Sequence, residues 1–561
     1  MADLLIRGAL LHDGSGAPAA RADLAIEGGR IADIGPDLKI EAREVIDADG
    51  LALMPGIIDS HTHYDAQITW DPYLNPSPAL GVTTCIIGNC GFTIAPNRPE
   101  HRDLFMRNLT QVEGMSLEAL RTGIDWSFRS FPEYLDRIEA RGVTPNVAAF
   151  IGHSALRTWA MGEDATERAA TPGEIETMAA VVREAMRAGA VGFATSTAPQ
   201  HNGDGGKPMP SRLADDEELI GLARAMGADG KGVFMLTRGG QTTIPWLEKL
   251  SVAAGKRPVM IAALLHSPNK PTATFEALDD IAAAQSRGVP LYGQVSPCPL
   301  TFEFTFRSPY PFESINAWKP AMTAPKDRVG EILADPSFRQ SVRDELATIN
   351  PIRLFNGDWS KVGIIQCARD ENAHLEHATI ADRAAEAGVD PLDWALDLAL
   401  SEDLETLFYA HVLNSDEDAV GKMMNHPHAS IALSDAGAHL SFFCDAGYGL
   451  YLLGHWSRDL GAIPVETAIW QLTGRPADIY GIRDRGYLKP GFAADLLLFD
   501  PAAVNRGPSY RLFDLPAGAP RLNTDAIGLH GVWVNGVKVA DAGGPVAGCG
   551  TPGKLLRDFA A

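Results

Sequence analysis

Over most of its length the chain alternates short apolar, strand-like runs with segments of helical character, and that alternation is the pattern of βα units wound around a parallel sheet. One helix shows its punctuation openly. Thr171 suits an N-cap, Pro172 the first helical position, Glu174 completes a capping box and Gly189 is placed to close the last turn before the strand Ala190-Val191-Gly192-Phe193. A closed barrel and an open doubly wound sheet both satisfy this periodicity, so the choice between them falls to motifs.

The two ends of the chain break the alternation. Asp23-Leu24-Ala25-Ile26 and Arg30-Ile31-Ala32-Asp33-Ile34 flank Gly28-Gly29 and read as a hairpin; Val532-Trp533-Val534, Asn535-Gly536 and Val537-Lys538-Val539 repeat the pattern late in the chain. Residues 201–212 and 296–311 read as long loops over one face of the body, the kind that carries binding or a lid.

A chain of 561 residues is long enough for one large domain and a smaller one. Its formal net charge of -23 repels nucleic-acid phosphates and anionic lipid, which excludes both as expected partners. No apolar run has the length of a membrane span, and the N-terminus carries no basic region followed by an apolar stretch. Six cysteines, Cys85, Cys90, Cys298, Cys367, Cys444 and Cys549, are thinly spread and are expected to be reduced thiols of a cytoplasmic protein.

Three segments could carry chemistry. Pro55-Gly56-Ile57-Ile58-Asp59-Ser60-His61-Thr62-His63 runs an apolar strand into two histidines one residue apart, which share a strand face and can chelate a divalent metal. The plain alternative is a pair of packing histidines beside a turn. Gly81-Val82-Thr83-Thr84-Cys85-Ile86-Ile87-Gly88-Asn89-Cys90-Gly91 ends in a cysteine that is either a small buried residue or, beside a metal, a thiolate ligand. Ile431-Ala432-Leu433-Ser434-Asp435-Ala436-Gly437-Ala438-His439 places a carboxylate late enough to end the last strand of an eight-fold barrel, where it could ligate metal and take a proton; a turn aspartate is its plain alternative.

Taken with Gly152-His153-Ser154-Ala155-Leu156-Arg157, Leu453-Gly454-His455-Trp456-Ser457-Arg458-Asp459 and Gly486 to Pro501, these segments resemble the amidohydrolase superfamily, in its N-acyl-D-amino-acid deacylase branch. The resemblance implies an α/β fold: a (β/α)8 TIM-like barrel over 59–485, a small β-sandwich from 1–58 and 486–545, and a tail over 546–561. It implies His61, His63 and Cys90 as metal ligands and Asp435 as catalytic carboxylate and further ligand, with zinc as the metal. It also exposes departures. Leu236 and Ala263 align with two histidines usual in the branch, and Leu265 with a lysine that binds the substrate carboxylate. One ion rather than two is therefore expected, unless His266, Glu113 or His153 fills in, and Arg238 becomes the candidate for the carboxylate.

The expected function is hydrolysis of a linear amide, such as an N-acyl amino acid, by metal-activated water with Asp435 as general base and acid. Cyclic amides, carbamates or esters on the same barrel are the enzymatic alternative, and a non-catalytic scaffold the other. A small-molecule amide is the expected partner, and a homo-oligomer is left open. His411, His426, His428 and His455 receive no role.

Overall fold

A computed structural model describes residues 1–350, 353–438 and 445–561. Eight parallel strands follow one another around a sheet in chain order: β1 (Ile57–Asp59), β2 (Val82–Ile87), β3 (Asn146–Gly152), β4 (Gly192–Ser196), β5 (Val233–Thr237), β6 (Val259–Ala262), β7 (Leu291–Val295) and β8 (Ala429–Ile431). Their residues are almost all buried, as expected of strands covered on both faces. The first and last strands meet beyond their ends: Thr62 bridges Ala436 in parallel, the His63 amide donates to the Ala436 carbonyl at 2.8 Å, and the Asp435 amide donates to the His61 carbonyl at 3.2 Å. The sheet thus closes into a TIM-like barrel, which resolves the ambiguity that periodicity left.

Among the helices on the outside are α1 (Arg102–Glu113), α2 (His153–Met161), α3 (Pro172–Ala188) and α4 (Asp216–Gly227). Helix α3 has the punctuation its sequence announces: Thr171 accepts from the Glu174 amide, Glu174 reaches back to the Thr171 amide, and Gly189 ends the helix at φ 107°. Each exchange satisfies a helix-end group that would otherwise lack a partner.

Both chain ends build one nine-stranded sheet, in which Leu496–Phe499 pairs with Ala52–Pro55 and with Leu529–Val534. The two hairpins are present. Glu27 pairs with Arg30 around Gly28 (φ 57°) and Gly29 (φ 76°), and Val534 pairs with Val537 around Asn535 (φ 47°) and Gly536 (φ 81°). Positive φ at both turn residues gives the twist that matches paired strands. Leu4, Ile6, Leu24, Leu53, Leu496 and Trp533 pack as the apolar core of this sheet. The segment after residue 545 runs beside the start of β3, where the Val147 amide donates to Lys554 and the Leu556 amide to Val147, before β4 joins at Phe150.

Two compact units divide the chain, one of residues 1–264, 277–297 and 421–561, the other of residues 265–276 and 298–420. The second unit holds a three-stranded antiparallel sheet, Leu300–Phe304, Leu407–Leu413 and Val362–Gln366, over an aromatic core that includes Phe304, Phe312, Trp318 and Phe408. The run 296–311, expected as loop, therefore contributes a strand. Its Leu-Thr-Phe-Glu-Phe alternation has period two, and the register with Leu407–Leu413 uses it. None of the five described cysteines is in a disulfide, and Cys444 lies outside the described residues. Among the described residues no helix is long and apolar enough to cross a membrane.

Candidate metal centre

Strand β1 ends at Asp59, and the extended chain beyond it carries His61 and His63 into the barrel mouth, both buried. After β2 the chain turns sharply through Gly88 (φ 88°) and Cys90 (φ 56°), so the cysteine leaves the strand line and its sulfur swings toward β1. Gly91 (φ 77°) follows because a Cβ there would lie 2.5 Å from the Ala194 carbonyl oxygen. Past β8, Gly437 lets the chain pass so near His63 that a Cβ would meet its carbonyl carbon at 2.7 Å, and that close passage delivers Asp435 to the same place.

Four of the five site residues expected from sequence come together. His61, His63 and Cys90 each offer a ligand atom within 4.8 Å of the others. Cys90 Sγ is 3.6 Å from His61 Nε2, while Asp435 Oδ1 is 3.2 Å from His61 Nε2 and 3.5 Å from His63 Nε2. Two imidazoles, a thiol and a carboxylate around one point form a donor set suited to zinc. Arg238 is not in this cluster: it follows β5, its amide donates to Ala262, and Asp280 is the charge that bears on its half-buried guanidinium. His439 lies outside the described residues.

The charges within the cluster are tightly coupled. Burial pushes the His61 imidazole down, but Asp435 and Cys90 outweigh it and leave the pKa raised. Burial likewise acts downward on His63, and Glu113, Asp435 and Cys90 carry it well above the ordinary histidine value. For Cys90 burial pushes upward, and the two histidines overcome it and lower the thiol. Below the cluster, burial raises Asp59 to about 7 against hydrogen bonds from Ser434 and the His61 backbone, and raises Asp65 to about 7 against the charge of His63.

Strand β5 requires a correction of phase. Met235 Sδ lies 3.3 Å from the Cys90 amide and Thr237 Oγ1 3.0 Å from Cys90 Sγ, so residues 235 and 237 face the cluster. Leu236, one residue out of step, is turned the other way, and Met235 and Thr237 are the side chains of this strand that meet Cys90. Ala263, directly after β6, is exposed and brings no ligand. His153 does not fill in: its Nδ1 is 2.7 Å from Thr195 Oγ1 and its Nε2 2.8 Å from Glu218 Oε1. His266 belongs to the second compact unit. Glu113 does reach the site, with Oε1 3.2 Å from His63 Nδ1.

Sequence reasoning missed Gln294. Its Oε1 lies 2.7 Å from His61 Nδ1, and its Nε2 donates to Ser60 Oγ at 3.2 Å. The available signal was an amide inside the buried strand Leu-Tyr-Gly-Gln-Val, a position that must find polar partners.

The family model described as Amidohydrolase family matches residues 44–299 and 357–540. The chain is 30% identical to D-aminoacylase of Alcaligenes xylosoxydans xylosoxydans over 550 residues, 96% of this chain and 94% of that one. A crystal structure of D-aminoacylase superposes with a TM-score of 0.65 at 26% identity, covering 100% of both chains. So does N-acyl-D-glutamate deacylase from Bordetella bronchiseptica, solved with zinc and a phosphonate mimic of the tetrahedral intermediate, at a TM-score of 0.65, 26% identity, and coverage of 99% of this chain and 100% of that one.

Proposed function

The chain belongs to the amidohydrolase family, and on that premise we propose that it is a hydrolase of a linear amide, an N-acyl amino acid or a related small amide, working with one divalent metal, zinc. The observation that carries the proposal is the convergence of His61, His63 and Cys90 within 4.8 Å with the Asp435 carboxylate 3.2 Å from His61 Nε2. When bound, the metal supplies Lewis acidity, which makes water a stronger acid and the amide carbonyl a better electrophile.

The protein's own groups do the rest. His61, His63 and Cys90 hold the cation, and Asp435 is ligand and proton carrier: it takes the proton of the attacking water and delivers it to the departing amine nitrogen. Its position between two imidazoles supports that role, because an acceptor must lie within reach of the proton it moves. Support for a single ion comes from β5 and β6, where Thr237 and Ala263 supply no imidazole. Arg238 is assigned to the substrate carboxylate at the rim of the barrel, since among the described residues its guanidinium makes no hydrogen bond or ion pair and its planar fork suits that group. The sheet built from both chain ends is assigned to a domain of its own, 1–58 with 486–545.

The test is a panel of N-acyl-D- and N-acyl-L-amino acids and of cyclic amides, assayed with the zinc-loaded wild type, Asp435→Asn and Arg238→Ala. Cleavage of linear N-acyl amino acids should fall about 10²–10⁴-fold in kcat in Asp435→Asn with metal retained. Arg238→Ala should raise KM for carboxylate-bearing substrates alone. Wild-type kcat in the Asp435 variant sinks the mechanism, and turnover confined to cyclic amides sinks the substrate class.

A further inference from the structure

The two imidazoles at the metal centre are each backed by a different group. His61 leans on Gln294: the amide's nitrogen is committed to Ser60 Oγ, so its oxygen faces His61 Nδ1 at 2.7 Å, the proton sits on Nδ1, and the Nε2 lone pair is left for the metal. His63 leans on a charge. Glu113, the last residue of α1, is buried with its side chain 3% exposed and places Oε1 3.2 Å from His63 Nδ1. The helix stops there because Gly114 takes φ 60°, which leaves Glu113 at the helix end beside the barrel mouth.

A carboxylate is costly to bury unless positive charge or donors meet it. At the C-terminal end of a helix it also opposes the helix dipole, so this location is unfavourable for α1 taken by itself. One of the groups that meets Glu113 is the Nδ1 edge of His63, at ion-pair distance and outside hydrogen-bonding alignment, on the ring whose Nε2 faces Asp435. A negative charge beside one edge of an imidazole favours the proton on that edge, disfavours the flipped ring, and makes the opposite nitrogen a stronger donor.

Resting on the metal-centre reading above, we propose that Glu113 is a positioning residue for the metal: it acts through His63, fixing the ring with Nε2 toward Cys90 and Asp435. It contacts neither substrate nor reacting atoms.

The test uses full-length wild type, Glu113→Ala, Glu113→Gln and Glu113→Asp, stripped by chelator and titrated with Co²⁺. Affinity is read by competition, and site geometry by visible absorption, including the thiolate-to-cobalt band from Cys90. Glu113→Ala should bind Co²⁺ about 10–100-fold more weakly with an altered band shape. Glu113→Gln, which keeps the shape of the side chain and removes its charge, should bind more weakly than wild type and more tightly than Ala. Should the Ala variant not fold, Glu113→Asp replaces it, because a carboxylate drawn back by one methylene should cost about tenfold. Wild-type affinity and spectrum in Ala or Asp overturn the proposal, as does a Gln variant no better than Ala. If wild type itself takes up no cobalt, the metal-centre reading fails instead.

Discussion

Two buried histidine–carboxylate clusters lie in one barrel, and they are built in opposite ways. At the end of β3, His153 spends both ring nitrogens on protein partners, Thr195 and Glu218, and Glu218 is in turn paired with the fully buried Arg157. Arg157 also donates from Nη2 to the carbonyls of Ala165 and Arg168. At the end of β1, only the Nδ1 edges of His61 and His63 are backed, and the Nε2 edges converge with a thiol and a carboxylate. Burial lowers His153, with Glu218 opposing, whereas His63 is carried well above its ordinary value by the surrounding acids. Histidine type and burial are thus shared by a strut and a site. What separates them is whether the charges cancel within the protein or wait for a cation.

If that contrast is right, the strut fails through stability. Glu218→Gln leaves Arg157 buried without its counter-charge, and breaking such a pair costs about 3–5 kcal/mol. Urea unfolding of the metal-free protein should register the loss, while zinc content per chain at saturating metal stays at the wild-type level. A variant as stable as wild type would show that the His153 cluster is not a strut at all.

The site fails through metal instead. Cys90→Ser puts a weaker, protonated oxygen donor where the thiol stood, and the zinc dissociation constant should rise about a hundredfold or more, the upper end of what loss of an outer partner causes. Metal-free stability should change by less than about 1 kcal/mol, because the sulfur's close neighbours are the polar atoms of His61 and Thr237. An unchanged zinc affinity, measured by chelator competition, would remove Cys90 from the ligand set.

Much of this contrast was legible in the chain. His-x-His after an apolar run was legible by itself as a possible chelate, while Cys90 after a β-rich run and Asp435 after a late strand each had a plain structural alternative and took their expected roles from the resemblance to the amidohydrolases. The hairpins at Gly28-Gly29 and Asn535-Gly536 were equally plain, since turn chemistry is local. The phase of β5 was not. Val233–Thr237 is apolar at four of its five positions, so nothing in it distinguishes the face of Leu236 from that of Thr237 until Cys90 is seen between Met235 and Thr237. Gln294 stayed hidden for a related reason: it reaches its histidine across the sheet from a distant strand, whereas Glu113 was named as a residue that could fill in and only its place behind His63 was not legible. The second compact unit was missed because its strands follow the same apolar patterns as the barrel's, and only the antiparallel register of Leu300–Phe304 with Leu407–Leu413 separates them.

The finest difference between the clusters is in protons. Without metal, the raised imidazoles of His61 and His63 bind protons more tightly in the folded chain than in the unfolded one. That contribution to stability is complete below the ordinary histidine value of 6.5 and is lost as pH rises through the raised values. Zinc must displace the same protons, so its affinity should keep climbing above that ordinary value, by about tenfold per pH unit for each proton released. The lowered His153 is already neutral there and adds nothing to the slope. Calorimetric zinc titrations from pH 6 to 8.5, repeated in buffers of different ionisation enthalpy, count the protons directly. A flat affinity above the ordinary value, with no proton release, would mean that the imidazoles meet the metal already neutral and that the acids around them are balanced by something other than His61 and His63.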